Sequence, residues 1–423
     1  MSAMISPLLE HPLREELHNE LHARPSLYFE GDVDVWHVAV IGEDGPPAVS
    51  DDLMRLEEVL TTQQGKHGIG RFGGGRLKWE PHTEFLTLTF VVPIVKAQDD
   101  GPPAPFQELC DAVKGKIIAA VRVTVREEKG GVRLERPQAD FVASQVGGGD
   151  AEALSTFRIG GNGFVEILLF NKNLNAYRAG RMVRRLLEIE TYRMMALLAT
   201  PVARETVTKL AEFDQRLDRL IRHMQSAEKV EKALLSEVTK LSSDLLNFSA
   251  TARHRFGATR AYAEIVASRL KELREERVEQ RQRLGTFIDR RFQPAIRSFQ
   301  AAERRLDELA ERVSLAGDLL RTTVQVQLED QNASLLESLD ERTRIQTHIQ
   351  QAVEGFSVIA ITYYSVALFK MVSESVAEFG LDPHVAKLSV LAAIPLVFFA
   401  VWKTVHHVRK SISGASDGSK RKH

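Results

Sequence analysis

Residues 356–372, FSVIAITYYSVALFKMV, and residues 386–405, AKLSVLAAIPLVFFAVWKTV, lie a short acidic loop apart and decide how this chain is organised. Each runs for about 17 to 20 residues, which at helical rise gives about 25 to 30 Å, the thickness of a hydrocarbon core. The first run carries a single charge, Lys370, late enough for its ammonium to reach headgroups along its own stem. The second has an uncharged middle, with Lys387 near one end and Trp402 and Lys403 near the other, where interfacial anchors belong. Two such runs in tandem predict a transmembrane helical hairpin; the rival is a buried helical hairpin in a soluble core.

Orientation follows from the positive charges near the membrane ends. Arg342 and Arg344 precede the first run, and Arg409, Lys410, Lys420, Arg421 and Lys422 follow the second, whereas the loop 373–385 holds no Lys or Arg. Both termini are therefore expected in the cytoplasm, with the chain crossing its membrane twice. Glu374, Glu378 and Asp382 would face outward. The expected divisions are a cytoplasmic α/β domain over 1–173, long helices over 174–354, the hairpin over 355–406 and a basic tail over 407–423.

Composition sets limits on function. The 423 residues hold 56 basic and 57 acidic side chains, so no global field marks a nucleic-acid binder or an enzyme for acidic substrates. One cysteine, Cys110, excludes an intramolecular disulfide framework and fits a reducing compartment. The first twenty residues show no basic region leading into an apolar core, so no signal peptide is expected.

The chain opens on its most unusual stretch. His11-Pro12 starts a helix and Arg24-Pro25 ends it; within it His11, Glu15, His18 and His22 share one face while Leu13, Leu17 and Leu21 share the other. Imidazoles at i and i+4 can share a divalent cation, although HNELH lacks the zincin order. The alternative is a helix whose Leu face docks and whose His/Glu face makes hydrogen bonds at a domain seam.

From residue 33 to 170 the pattern becomes that of strands: VDVWHVAVI, FLTLTFVVPIV, IIAAVRVTV, DFVASQV and FVEILLF, bounded by Gly, Pro or Asp. Helices are expected over 49–62 and, after the turn signal GPPAP, over 106–114. The fold class is α+β, with an N-terminal α/β sandwich. Its loop GKHGIGRFGGGRLKWE contains a formal GxGxxG, but strand-like sequence follows it where a dinucleotide site needs a helix. Lys66, Arg71, Arg76 and Lys78 make the loop a candidate anion site; the alternative is a hairpin tip. No Ser-His-Asp, Cys-His or paired-carboxylate set can be assembled from local spacing, so the chain reads as a non-enzyme without cofactor.

Beyond residue 173 helices take over. A first helix covers 175–199. Then Leu210, Phe213, Leu217, Leu220, Met224, Leu234, Val238, Leu241, Leu245 and Phe248 alternate by threes and fours, the pattern of one long coiled-coil seam. A bend at residues 254–257 is expected to send the chain back through Val266, Leu270, Leu273, Leu284 and Phe287. Pro294 would open a third helix that continues unbroken over 295–372 into the first span.

The segment HPLREELHNELHARPSLYF together with this layout resembles a bacterial family of uncharacterised membrane-anchored proteins, the domain of unknown function family 3422. That resemblance covers nearly the whole chain and implies a topology without an activity. The layout is also similar to that of the CorA metal-ion transporters, which implies subunits around a pore lined by the first span. Those proteins carry Gly-Met-Asn at the outer end of that span, where this chain reads Lys370-Met371-Val372-Ser373, so no selectivity residue carries over. What remains is a polar element in the span. Thr362, Ser365 and Phe369 lie on one stripe and Tyr364 on a neighbouring one, with Glu374 and Glu378 at the outer mouth. The hydroxyls either line a cation path or hold helices together. The expected protein is a homo-oligomer in a lipid bilayer that conducts or senses cations; the rivals are a membrane-anchored scaffold and a nucleotide-binding regulator.

Overall fold

The computed structural model of this protein describes residues 11–14, 27–43, 45–48, 56–63, 67–94, 101–128, 134–137, 140–226, 232–377, 388 and 391–407. The chain divides into two compact units, Met1–Asp318 and Leu319–His423.

The first unit is built on β1 (Val33–Ile41), β2 (Glu58–Gln63), β3 (His67–Phe72), β4 (Gly75–Pro81), β5 (Leu86–Pro93), β6 (Lys116–Glu127), β7 (Val142–Val146), β8 (Ala151–Ile159), β9 (Val165–Asn171) and β10 (Glu276–Arg277). They form one sheet in the order β10-β7-β8-β9-β6-β1-β5-β4-β3-β2. Its pairings are antiparallel except β6 with β9. β1 sits near the middle, and Val33 through Val40 are all buried because both faces of the sheet are covered. On one face Trp36, Val38, Leu77, Leu88 and Phe90 pack with Phe106 and Leu109 of α1 (Ala104–Ala112). On the other, Ala39, Phe85 and Ala119 meet Met195 of α2 (Ala176–Leu197). Asn175 caps α2 by accepting from the backbone N–H of Arg178 at 2.9 Å. Gly180 lets α2 lie against the chain at Leu27: a Cβ there would stand 1.9 Å from the Leu27 carbonyl oxygen.

Three long helices complete the unit: α3 (Ala199–Ser226), α4 (Lys232–Glu272) and the first part of α5 (Leu284–Ala377). α3 and α4 run antiparallel, with Phe213 against Phe248 (centroids 6.2 Å apart) and Arg216 paired to Asp244 at 2.9 Å. α5 lies along α4 through Arg253–Asp307 at 2.7 Å and Arg260–Glu303 at 2.8 Å, and along α3 through Arg312–Asp214 at 2.6 Å.

Several sequence expectations are corrected. Residues 58–62, the end of the helix expected over 49–62, lie in strand β2: EVLTTQ carries β-branched residues and pairs with β3. The seam Leu210 to Phe248 belongs to two helices facing each other, with Leu210, Leu217, Leu241 and Leu245 buried between them. The chain does not turn back at 254–257, which are helical within α4, where Arg255 and Tyr262 both bind Glu84 beside the sheet. Leu273 and Leu284 flank a break instead, in which β10 pairs with β7. Pro294 lies inside α5, ten residues past its start at Leu284. The sequence did not separate β3, β4 and β8 as strands, and the sandwich is a single sheet with helices on both faces.

The second unit holds the rest of α5 and a shorter apolar helix, α6 (Leu391–His407). α5 is continuous for 94 residues, as the absence of breakers predicts. It contains an 18-residue window of mean hydropathy 1.5, none of it buried, and is long and apolar enough to cross a membrane.

Candidate functional site

The residues singled out in the sequence have different fates. In α5 the Thr362 hydroxyl donates to the Val358 carbonyl at 2.7 Å, so its polarity is satisfied within its own helix. Thr362 also lines a groove of about 630 Å3 with Ile359, Tyr363, Val366 and Lys370, closed on the other side by Ile394 and Phe398 of α6. Ser365 is half-buried, whereas Phe369 and Tyr364 are exposed. Lys370 pairs with Glu374 at 3.7 Å, and Glu378 lies outside the described residues.

His11 is exposed, its Nδ1 accepting from the Leu13 N–H at 3.2 Å; Glu15, His18 and His22 lie outside the described residues. Among the described residues no cluster of three or more His, Cys, Asp or Glu is placed to hold a metal.

The glycine-rich stretch is a hairpin. Gly73 and Gly74, at φ 49° and 78°, turn β3 into β4 in the left-handed conformation that glycine adopts without strain. Arg71 and Arg76 stand opposite each other in register, and each is engaged: Arg71 pairs with Glu58 at 3.0 Å, while Arg76 donates to the Tyr28 carbonyl and stacks over the Tyr28 ring at 4.7 Å. Lys66 is outside the described residues. Lys78 goes inside, its side chain 3% exposed and its ammonium 2.9 Å from Glu80.

Lys78 marks a polar chamber of about 430 Å3 between the sheet and α2. β1 supplies His37, β4 supplies Lys78 and Glu80, β5 supplies Thr87 and Thr89, and α2 supplies Arg184, Glu188, Thr191 and Tyr192. The imidazole of His37 spans the gap, with Nδ1 2.8 Å from the Thr89 hydroxyl and Nε2 3.0 Å from the Thr191 hydroxyl. One ring nitrogen donates and the other accepts, so the neutral ring is fully satisfied. Burial pushes its pKa down to about 3, against the pull of Glu80 and with the help of His82 and Lys78. Arg184 pairs with Glu188 at 3.4 Å, and Arg269 of α4 bonds both Glu188 and Glu272. Within the chamber each of these ions faces an opposite charge; Arg269 ties α4 to α2 through Glu188, and His37 ties α2 to the sheet through Thr191. Sequence reasoning passed over it. The signal was a polar residue at the centre of two apolar strands, His37 in VDVWHVAVI and Lys78 in GRLKWEP, facing Arg184, Glu188 and Thr191 spaced by four and three on α2.

No curated protein matches this sequence. Residues 9–412 do match a family model described as "Protein of unknown function (DUF3422)", in agreement with the resemblance seen in HPLREELHNELHARPSLYF, and the chain belongs to that family.

Proposed function

We propose that this protein is a membrane-tethered, self-associating scaffold. The second unit holds a two-helix hairpin in a bacterial inner membrane with both termini cytoplasmic, and the first unit works at the cytoplasmic face. The observation that carries this reading is the outward turn of apolar side chains in the second unit. Phe356 is 72% exposed, Tyr363 70%, Leu391 69% and Leu396 72%. Such a surface is costly in water at about 25 cal/mol per Å2 and costs nothing in hydrocarbon.

Self-association draws on the helix before the span. Leu328, Leu335, Leu339, Ile349, Val353 and Phe356 are exposed and, at about 100° per residue, fall on one side of α5. Glu329, Asp330, Glu337, Asp340 and Glu341 fall on the other. Arg342 and Gln346 interrupt the apolar stripe, as polar residues do where a seam fixes its register. Copies anchored in one bilayer would bring these stripes together at equal height. Cation passage along Thr362, Ser365, Phe369 and Tyr364 is the second reading, favoured by the hydroxyls on that stripe. It requires an axial face, and Thr362 is already turned toward α6 of its own chain.

Two measurements test the proposal. The full chain in cell membranes should resist extraction by alkaline carbonate, and in detergent it should run as an oligomer that Leu335→Glu with Leu339→Glu dissociates. Release by carbonate would remove the tether. A monomer at every concentration would remove both self-association and any shared pore.

A further inference from the structure

A second cavity in the first unit, of about 990 Å3, is built very differently from the chamber under α2. Four arginines line it, Arg158, Arg193, Arg281 and Arg291, against one carboxylate, Asp140. Arg193 is held by the buried Glu190 at 3.1 Å. The other three have no carboxylate within ion-pair distance among the described residues. Arg281 donates to the Phe141 carbonyl at 3.4 Å; Arg291 donates to the Phe287 carbonyl at 3.3 Å and lies over the Phe287 ring at 3.7 Å.

The backbone is shaped toward this cleft. The β8–β9 register shifts between Ser155 and Ile159, and within that bulge Phe157 takes φ 50°, a conformation a bulky side chain rarely adopts. The Phe157 ring stacks on Phe287, centroids 5.2 Å apart, and Arg158 follows it at the mouth. Strain of this kind is retained where the surroundings enforce it, most often at ligand sites. The lining also holds a buried donor, Nε2 of Gln282, with no hydrogen-bond acceptor. A buried donor without an acceptor costs free energy, which a ligand oxygen reaching it would recover.

We propose that this cleft binds an organic phosphate. Its phosphate would sit among Arg158, Arg281 and Arg291 and accept from Gln282, and its apolar body would lie against Phe157, Leu197 and Phe292. A bare inorganic anion would leave the apolar wall uncovered, and an uncharged apolar molecule would leave three guanidinium groups without a counter-ion. The volume fits a molecule the size of a nucleotide or a short lipid.

The test is calorimetric titration of the full chain in detergent with adenosine monophosphate, with a short-chain phosphatidic acid and with inorganic phosphate. At least one organic phosphate should bind about tenfold or more tightly than inorganic phosphate, and which one does identifies the source. Arg158→Ala and Arg281→Ala should each weaken that binding by about tenfold to hundredfold, the effect of losing a charge-assisted hydrogen bond. Gln282→Leu should weaken binding without lowering the melting temperature, because the donor it removes has no structural acceptor. If neither organic phosphate outbinds inorganic phosphate, the proposal is wrong. It is equally wrong if Arg158→Ala, an exposed position that leaves the fold intact, does not change the affinity.

Discussion

Glu84 lies between β4 and β5 and joins α4 to the sheet. Its Oε1 pairs with Arg255, and its Oε2 accepts from the Tyr262 hydroxyl at 2.6 Å. The Glu84 and Arg255 side chains are 22% and 18% exposed, so solvent screens the pair only in part. Burial and the bond to Glu84 both raise the Tyr262 phenol's pKa, keeping it a donor throughout the accessible pH range. A hydrogen bond to a charged group contributes about 1.5–3 kcal/mol, and two that share a carboxylate add less than twice that. Glu84→Ala should therefore cost about 2–4 kcal/mol and Tyr262→Phe about 1–2 kcal/mol. For a unit that ends at Asp318 that is about 3–6 °C and about 2–3 °C in melting temperature. The assay is thermal unfolding of the full chain in detergent, with Glu308→Ala on an exposed face of α5 as control. Combining Glu84→Ala with Tyr262→Phe should cost no more than Glu84→Ala alone. A Glu84→Ala melting temperature equal to the control's, or full additivity of the pair, would refute the idea that this contact holds α4 to the sheet.

His37 gives a pH signature. Its folded pKa, about 3, lies below its unfolded value, so the stability it contributes is complete above about pH 6.5 and is lost as pH falls toward the folded value. Between about pH 7 and pH 5 it should account for a loss of about 2 kcal/mol, which His37→Gln should flatten in denaturant titrations at the two values. Glu128 responds in acid: the hydrogen bond from Arg136 holds its carboxyl below the usual range, so its contribution is present above the ordinary carboxylate range and declines in stronger acid. An acid midpoint unmoved by Glu128→Gln would count against that pairing. Leu241 is fully buried in the α3–α4 seam, and Leu241→Asp should cost more than the roughly 2–5 kcal/mol of a Leu→Ala change. Unchanged unfolding would mean that the seam opens in solution.

Strong periodicities were legible in the sequence and weak ones were not. The central strands announced themselves through runs such as VDVWHVAVI, because a strand buried on both faces must be apolar throughout. The short edge strands did not: EVLTTQ is largely polar, and its identity is fixed by pairing with β3. The division of this seam into α3 and α4 was missed because the apolar threes and fours continue in both helices, and a heptad pattern does not record which side of a reversal it lies on. Pro294 misled for a related reason, being a frequent first residue that here sits within a helix. The polar residues were harder still. Lys78 reads as a loop cation until the strands are paired, and the cleft of Arg158, Arg281 and Arg291 joins residues more than a hundred positions apart.

The central claim is a tether that crosses the membrane twice, and the most direct measurement is which side of the bilayer each segment occupies. With Cys110→Ser as background, single cysteines at Asp382 and Ser419 are labelled in intact spheroplasts with a membrane-impermeant maleimide. The hairpin predicts that Asp382→Cys reacts at once and that Ser419→Cys reacts only after lysis. Labelling of both positions before lysis, or of neither, would contradict it.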